Sequence, residues 1–504
     1  DGTIKAIWIM GTNPVVSMPN ADRVRAALQN CDTVIVSDCI AETDTTATAN
    51  ILLPASGWGE KSGTVTNSER RISRQRALVP PAGEAKSDWW IMSQVAQAMG
   101  FNNAFAYSSP RDIFIEHAQL SQFKNTGNRL FNIEGLSNLS EKQYDQLDPI
   151  QWPVTELKPK GTARLFEDGL FNTPSRKANF VAISAQLPQT QTRNDNYPLT
   201  LNTGRIRDQW HTMTRTARTS TLLSHIDQPF VAMHPDTAAA AGLIDGDLAQ
   251  VSTKGGSINV VTVVDQGMGN HQLFVPIHWN DQYASSARVD TLVAPIIDAV
   301  SGQPEFKYSR AALVKIAAPV WASLVSRSKL DCTQFINWTA APLSDGLGFI
   351  YQVAVEANIN WEDFIAAKRL TDQGPAQAYE HFSDPSNSDQ RLICFSDQSI
   401  ELAIFSHQDK NALPDNLWIR ALLSQPVAET YWPLLSGTAT ADGKLICSCF
   451  KVSEQAIVAA IADGANSATA LGQQLKCGTN CGSCIPELNT LVANALTSSI
   501  DSAA

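Results

Sequence analysis

The chain opens on a short apolar run at residues 4–10 that breaks at Gly11-Thr12-Asn13-Pro14. Helical spacing over residues 21–28 follows, then a β-branched run at 33–36 ending at Ser37-Asp38, then an apolar run at 51–53 ending at Pro54. Strand, loop, helix and strand within about 35 residues predict a βαβ unit with a right-handed crossover. Sheets of this kind bind ligands beyond the carboxyl ends of their strands, which marks the turns at 11–14 and 37–38 as candidate ligand-facing positions. No GxGxxG occurs, so a nicotinamide dinucleotide fingerprint is not predicted. Residues 101–195 mix helical stretches with turns such as Trp152-Pro153 and Asn172-Thr173-Pro174. From residue 197 to about 320, short β-rich segments (YPLTLNTGR, DLAQVST, SINVVTVV, HQLFVPIHW) recur, with GLIDGD at 242–247 as a turn between an Ala-rich helix and a strand. That recurrence predicts a barrel or a sandwich. Residues 321–435 follow no single period and read as a small mixed domain or a connecting module. LSGTATADG at 435–443 reads as a flexible linker. Residues 453–461, stopped by Gly464, read as a helix.

That last helix lies between two tight cysteine pairs. Cys447 and Cys449 form C-x-C, and Cys481 and Cys484 form C-x-x-C after 31 intervening residues; Cys477 sits just upstream of the second pair. Thiolates this close cross-link, hold zinc, or hold an iron–sulfur cluster. The sparse cysteines elsewhere do not suggest a disulfide scaffold. The one-residue gap at Ser448 is unusual for a zinc knuckle. A 2Fe–2S cluster takes two thiolates per iron, and Gly478 and Gly482 suit a loop whose backbone N–H groups approach bridging sulfides. Cys31 and Cys39 match no ligand motif and read as buried small hydrophobes.

Composition narrows the class. Of 504 residues, 43% are hydrophobic and 17% charged, an ordinary, well-cored balance, and the length suggests roughly three or four domains. The net charge of −11 argues against nucleic-acid or anionic-membrane surfaces, which need basic patches. No run of about 18 apolar residues exists to span a bilayer. The first residues, DGTIKAIWIMG, lack an initiator Met and start directly on a strand-like run, so the chain is read as beginning inside a larger protein. Taken singly, other features are bland. Gly11-Thr12-Asn13-Pro14 is a turn, His211 and His278 are core histidines, ERRISRQR at 69–76 is a solvated basic face, and Trp89-Trp90 is helix core.

Taken in order, the motifs carry more. The block CSCFKVSEQAIVAAI…CGTNCGSC resembles the 2Fe–2S domain of bacterioferritin-associated ferredoxin, also found fused to nitrite and nitrate reductases. The resemblance implies metal ligation by Cys447, Cys449, Cys481 and Cys484, with Cys477 outside the four-ligand pattern as either a bystander or a substitute ligand. Upstream, IKAIWIMGTNP, VSDCIAETDTTATANILLPASGWGEKSGTVTNSERRISR, AKSDWW, TGRIRDQWHTMTRT, MHPDTAAAAGLIDGD and QPEFKYS resemble the C-terminal half of a molybdopterin oxidoreductase, and within it the assimilatory nitrate reductase large subunit.

The resemblance implies a fold of α/β plus β-barrel. A Rossmann-like parallel α/β region at 1–195 precedes a molybdopterin-dinucleotide-binding barrel of double-psi type at 196–320. A connecting region at 321–440 and a small helical 2Fe–2S domain at 441–500 complete it. It implies bis-molybdopterin guanine dinucleotide around molybdenum, contacted by Asn13, Ser37, Asp38, Lys61, Asp88, Thr203, Gly204, Arg205, Trp210, His211, Thr212 and Lys307, with Trp279 near a substrate funnel. The family usually places a pterin-contacting Asn where this chain has Asp290, and an acid supplies no amide donor there. No catalytic residue is assigned within the chain; the 4Fe–4S cluster and the molybdenum ligand are expected in a missing N-terminal part. The implied function is cytoplasmic reduction of nitrate to nitrite. Electrons enter at the 2Fe–2S cluster from an NADH-dependent flavoprotein, a ferredoxin or a flavodoxin, without nucleic-acid or membrane partners. The alternatives are another molybdopterin oxidoreductase such as formate dehydrogenase, or a non-enzymatic zinc or 2Fe–2S docking module at the C-terminus.

Overall fold

A computed structural model of the protein describes residues 2–182, 195–372, 378–384, 386, 388–396, 399–425 and 444–501. The chain divides into two compact units. One comprises Asp1–Thr12, Leu28–Glu42 and Thr46–Leu187, and the other Asn13–Ala27, Thr43–Thr45 and Pro188–Ala504.

In the first unit, β1 (Ala6–Met10), β2 (Thr33–Asp38) and β3 (Ile51–Pro54) form a parallel sheet in the order β1-β2-β3. The β-branched Thr33–Asp38 run is buried at Val34 and Val36, as the pleat requires for side chains on one face. β4 (Gly63–Thr66), β5 (Arg71–Gln75) and β6 (Ile150–Gln151) form a second, antiparallel sheet. This sheet corrects the reading of ERRISRQR as a solvated face. The Arg74 side chain is only 5% exposed and its guanidinium lies 4.1 Å from the Tyr144 ring centroid. Arg70 donates to the Thr162 carbonyl at 3.1 Å. Planar guanidinium groups stack on rings and fork to several acceptors, so these arginines act as internal cross-braces. Cys39 is exposed and Cys31 half-buried, against the expectation of buried hydrophobes, because Cys39 falls in the turn after β2.

The second unit holds a closed six-stranded barrel. Its strands are β7 (Leu199–Gly204), β8 (Phe230–Met233), β9 (Leu248–Ser252), β10 (Ser257–Val264), β11 (Gln272–Pro276) and β12 (Ser309–Lys315), in the order β10-β8-β11-β7-β12-β9. Alternate residues fill the interior: Leu199 and Leu201, Ala249 and Val251, Ile258 and Val260, Leu273 and Val275. Closure removes sheet edges, and β7 ends with Gly204 opposite Pro276.

Residues 320–407, which resisted a sequence reading, form an antiparallel six-stranded sheet: β13 (Val320–Ser326), β14 (Asn337–Pro342), β15 (Phe349–Val355), β16 (Ala378–Asp384), β17 (Asp389–Ser396) and β18 (Ser399–His407). Val325, Ile350, Ile393 and Ala403 join the barrel's core. Leu324, Tyr351, Leu392 and Ile404 pack with Trp361 and Phe364 of the helix Trp361–Asp372 on the other face.

The linker predicted at 435–443 lies outside the described residues. After it, β19 (Leu445–Cys447) pairs with β20 (Val452–Ser453), followed by helices Glu454–Ala462, Ala468–Leu475 and Ile485–Asp501. Ser453 caps the first helix by accepting from the Ala456 amide, and Ser467 caps the second through Ala470. Ile446, Ile457, Leu471 and Leu488 form their own core. Among the described residues, no helix is long and apolar enough to cross a membrane.

Candidate functional site

The segment after β7 places three non-glycine residues in left-handed backbone. Asp208, His211 and Met213 have φ of 68°, 33° and 61°, and each costs of order 1 kcal/mol or more in a non-glycine residue. His278 holds it. The ring is fully buried, and the Ile206 amide donates to Nε2 at 3.0 Å. The proton therefore resides on Nδ1, which donates to the His211 carbonyl at 2.7 Å. Burial is the main cause pushing its pKa down to about 4, so the imidazole is neutral near pH 7. One buried ring thus staples both ends of residues 206–211. Asn280 adds a bond to the Thr212 carbonyl at 2.6 Å. Asn13 donates to Thr212 Oγ1 at 3.2 Å and accepts from Thr45 Oγ1 at 2.6 Å.

His211 and Thr212 of this segment border a cavity of about 260 Å3. Four predicted positions line it, Thr203, His211, Thr212 and Lys307, together with Asp290. Ser17, Ile277 and Phe306 also line it; a serine, an isoleucine and a phenylalanine carry no motif by which sequence alone would find them. Thr203 Oγ1 donates to the Phe306 carbonyl at 2.7 Å, and Lys307 Nζ donates to the Thr203 carbonyl. Gly204 is required by space: a Cβ there would stand 2.8 Å from the Phe274 ring and 3.7 Å from Lys307 Nζ. Asp290 is buried with Oδ1 lacking a hydrogen-bond partner. Burial raises its carboxyl to about 7, opposed by the Lys307 charge. Arg205 and Trp210 fall outside the lining; they contact each other, guanidinium to ring at 5.8 Å. Trp279 is fully buried, its Nε1 without a hydrogen-bond partner.

The remaining predicted contacts lie in the first unit. Ser37 is buried and accepts from Trp8 Nε1 at 2.8 Å. Asp38 Oδ1 accepts from the Ile40 amide at 3.0 Å. Lys61 Nζ lies 3.0 Å from Asp88 Oδ2, so these two predicted contacts pair with each other.

The cysteines gather within their small domain. Cys447 and Cys484 are buried, Cys449 and Cys481 exposed. Cys449 Sγ and Cys481 Sγ are 3.4 Å apart, far beyond a disulfide bond of about 2.05 Å. Hydrogen bonds from Ser483, then Cys449, lower the Cys481 pKa. Burial, then the neighbouring Cys447 sulfur, raises Cys484 to about 11. Gly478 and Gly482 take φ of 77° and 72°, a left-handed backbone that favours glycine. Cys477 is fully buried in the domain core. A donor set of four thiols in two pairs fits two irons at two thiolates each.

Comparison with known proteins agrees with this division. Residues 1–98 match the molybdopterin oxidoreductase family, 199–310 the molydopterin dinucleotide binding domain, and 445–494 the BFD-like [2Fe-2S] binding domain. A nitrate reductase of Klebsiella oxytoca is 42% identical across 98% of this chain and 56% of its own length. One from Shewanella frigidimarina is 33% identical across 97% and 55%. The assimilatory nitrate reductase catalytic subunit of Bacillus subtilis is 32% identical across 63% and 43%. The chain thus spans about half the length of the curated relatives it matches. The α/β sheet, most of the barrel and the cysteine quartet each fall in a matched segment, so the chain carries segments similar to molybdopterin oxidoreductases, to their dinucleotide binding domain and to a BFD-like [2Fe-2S] domain, with nitrate reductases among its homologues.

Proposed function

We propose that this chain is the C-terminal portion of a cytoplasmic, molybdenum-dependent assimilatory nitrate reductase. One observation carries the reading: 42% identity to a nitrate reductase across 98% of the chain, the cysteine quartet included. The bound cofactor supplies the oxygen-atom removal in which nitrate, two electrons and two protons give nitrite and water.

The chain's own residues do three things in this reading. Asn13, Thr203, Thr212 and Lys307 would present amide, hydroxyl and ammonium groups to the dinucleotide; such groups suit pyrophosphate and ribose oxygens. His211 and Asp290, whose Oδ1 lacks a hydrogen-bond partner, would line the same site, with an acid standing where the family usually places a pterin-contacting Asn. Ser37, Asp38, Lys61, Asp88, Arg205 and Trp210 would supply further cofactor contacts, and Trp279 would lie near the substrate funnel. The barrel is assigned the double-psi type, and the domains divide at 1–195, 196–320, 321–440 and 441–500. Cys447, Cys449, Cys481 and Cys484 hold a 2Fe–2S cluster. Through it a reduced flavoprotein, ferredoxin or flavodoxin delivers electrons toward a 4Fe–4S cluster held outside this chain.

The test uses the full-length protein. Molybdenum, iron and acid-labile sulfide are measured, then turnover with nitrate and with formate. Nitrite production with all three elements present supports the reading. Formate oxidation without nitrate reduction refutes it, as does a colourless, zinc-loaded four-cysteine domain.

A further inference from the structure

Arg207 joins the two sites. Its Nη2 donates to the Ile446 carbonyl at 2.8 Å, the residue immediately before Cys447. Its Nε lies 3.4 Å from Glu487 Oε1, on the helix that follows Cys484. On the barrel side, Nε donates to His225 Nδ1 at 3.2 Å and lies 3.4 Å from Asp208. The guanidinium is largely buried at 17% exposure, so its contacts are weakly screened. His225 accepts at Nδ1, so its proton sits on Nε2, which faces Glu487 at 4.0 Å. Four peptide steps further on, His211 lines the cavity, a span of at most about 14 Å. His278 clamps the backbone between them at Ile206 and His211.

We propose that Arg207 is a positioning residue that latches the four-cysteine domain onto the dinucleotide-binding barrel, fixing the electron-entry site against the far end of the segment that lines the cavity. The functional part of this rests on electrons entering through the cysteine domain. The latch itself is a statement about docking and is tested separately. The guanidinium bonds one residue from a cluster ligand on one strand and beside a helix that starts just after another ligand, so it fixes both cysteine pairs relative to the barrel. A lysine offers a point charge for Glu487 but not the fork that reaches Ile446 and His225 together.

The test compares wild type, Arg207→Gln, Arg207→Lys and Glu487→Gln in the full-length holoenzyme. Hydrogen exchange is read over residues 444–449. The protein is then reduced with dithionite, freed of excess reductant and mixed with nitrate while cluster reoxidation is followed by visible absorption. The latch predicts exchange at 444–449 faster by about tenfold in Arg207→Gln, since charge-assisted hydrogen bonds are lost. It also predicts reoxidation slowed by about tenfold or more relative to turnover with reduced methyl viologen. The spectrum of the reduced cluster stays unchanged, and Arg207→Lys recovers part of both effects. Equal exchange and equal reoxidation in wild type and Arg207→Gln overturn the latch. If Arg207→Gln loses its iron, Glu487→Gln decides: faster exchange at 444–449 supports the latch and unchanged exchange overturns it. A wild-type cluster that nitrate does not reoxidise refutes the proposed function and leaves the exchange test of the latch intact.

Discussion

Replacing Asp290 by asparagine keeps the side chain's shape and removes its titration, so it isolates one electrostatic quantity. The carboxyl moves from 3.8 in an exposed setting to about 7 in the folded chain, burial being the dominant cause and the Lys307 charge a partial offset. Its folded pKa lies above its unfolded one, so the folded state holds the proton more tightly. The associated stability is fully present below the unfolded pKa and is lost as pH rises through about 7. At about 1.36 kcal/mol per unit, the full difference is about 4 kcal/mol, reached above the folded pKa. Between pH 5 and pH 8 the wild type loses about 2–3 kcal/mol that Asp290→Asn does not lose. The assay is urea unfolding of the cofactor-free chain, wild type and variant, followed by tryptophan fluorescence at pH 5, 6, 7 and 8. The variant's midpoint should pull ahead of the wild type's as pH rises. Midpoints that stay parallel across that range refute the reasoning, because they mean that the folded site does not hold the carboxyl neutral.

Gly204→Ala puts a Cβ 2.8 Å from the Phe274 ring and should cost about 1–3 kcal/mol, seen as a lowered urea midpoint and reduced molybdenum content. His278→Ala leaves the Ile206 amide and His211 carbonyl without their partner and should cost about 1–3 kcal/mol. Because burial depresses the ring's pKa from 6.5 to about 4, that contribution is present above the unfolded value and lost as pH falls through about 4. The variant's stability deficit should therefore shrink in acid. Cys481→Ser removes one thiol of the 3.4 Å pair. On the proposed function, this substitution in the full-length protein should abolish nitrate reduction driven by the physiological donor while sparing turnover with reduced methyl viologen; equal loss of both activities points to a structural role for the cysteine instead.

Local pattern carried much of the architecture. An apolar run ending at Gly11, a β-branched run ending at Asp38 and alternating residues at 257–264 became Ala6–Met10, Thr33–Asp38 and Ser257–Val264, because one buried face imposes a period of two. The cysteine quartet was legible because ligand spacing is itself a local property. The sheet of residues 320–407 was not, because both its faces are covered: stretches such as Phe349–Val355 read as nearly continuous apolar runs with no polar alternation to betray a strand. The site divides the same way. Sequence named Thr203, Thr212 and Lys307, but only tertiary packing pairs Lys61 with Asp88 and orphans a carboxylate oxygen of Asp290. Burial also decided that Arg74 is an internal brace and not a solvated charge. Arg207 is the clearest case. Its partner carbonyl lies 239 residues away, and a bond between groups so distant in sequence leaves no trace in the residues around either of them, because it depends only on where the folded chain brings them.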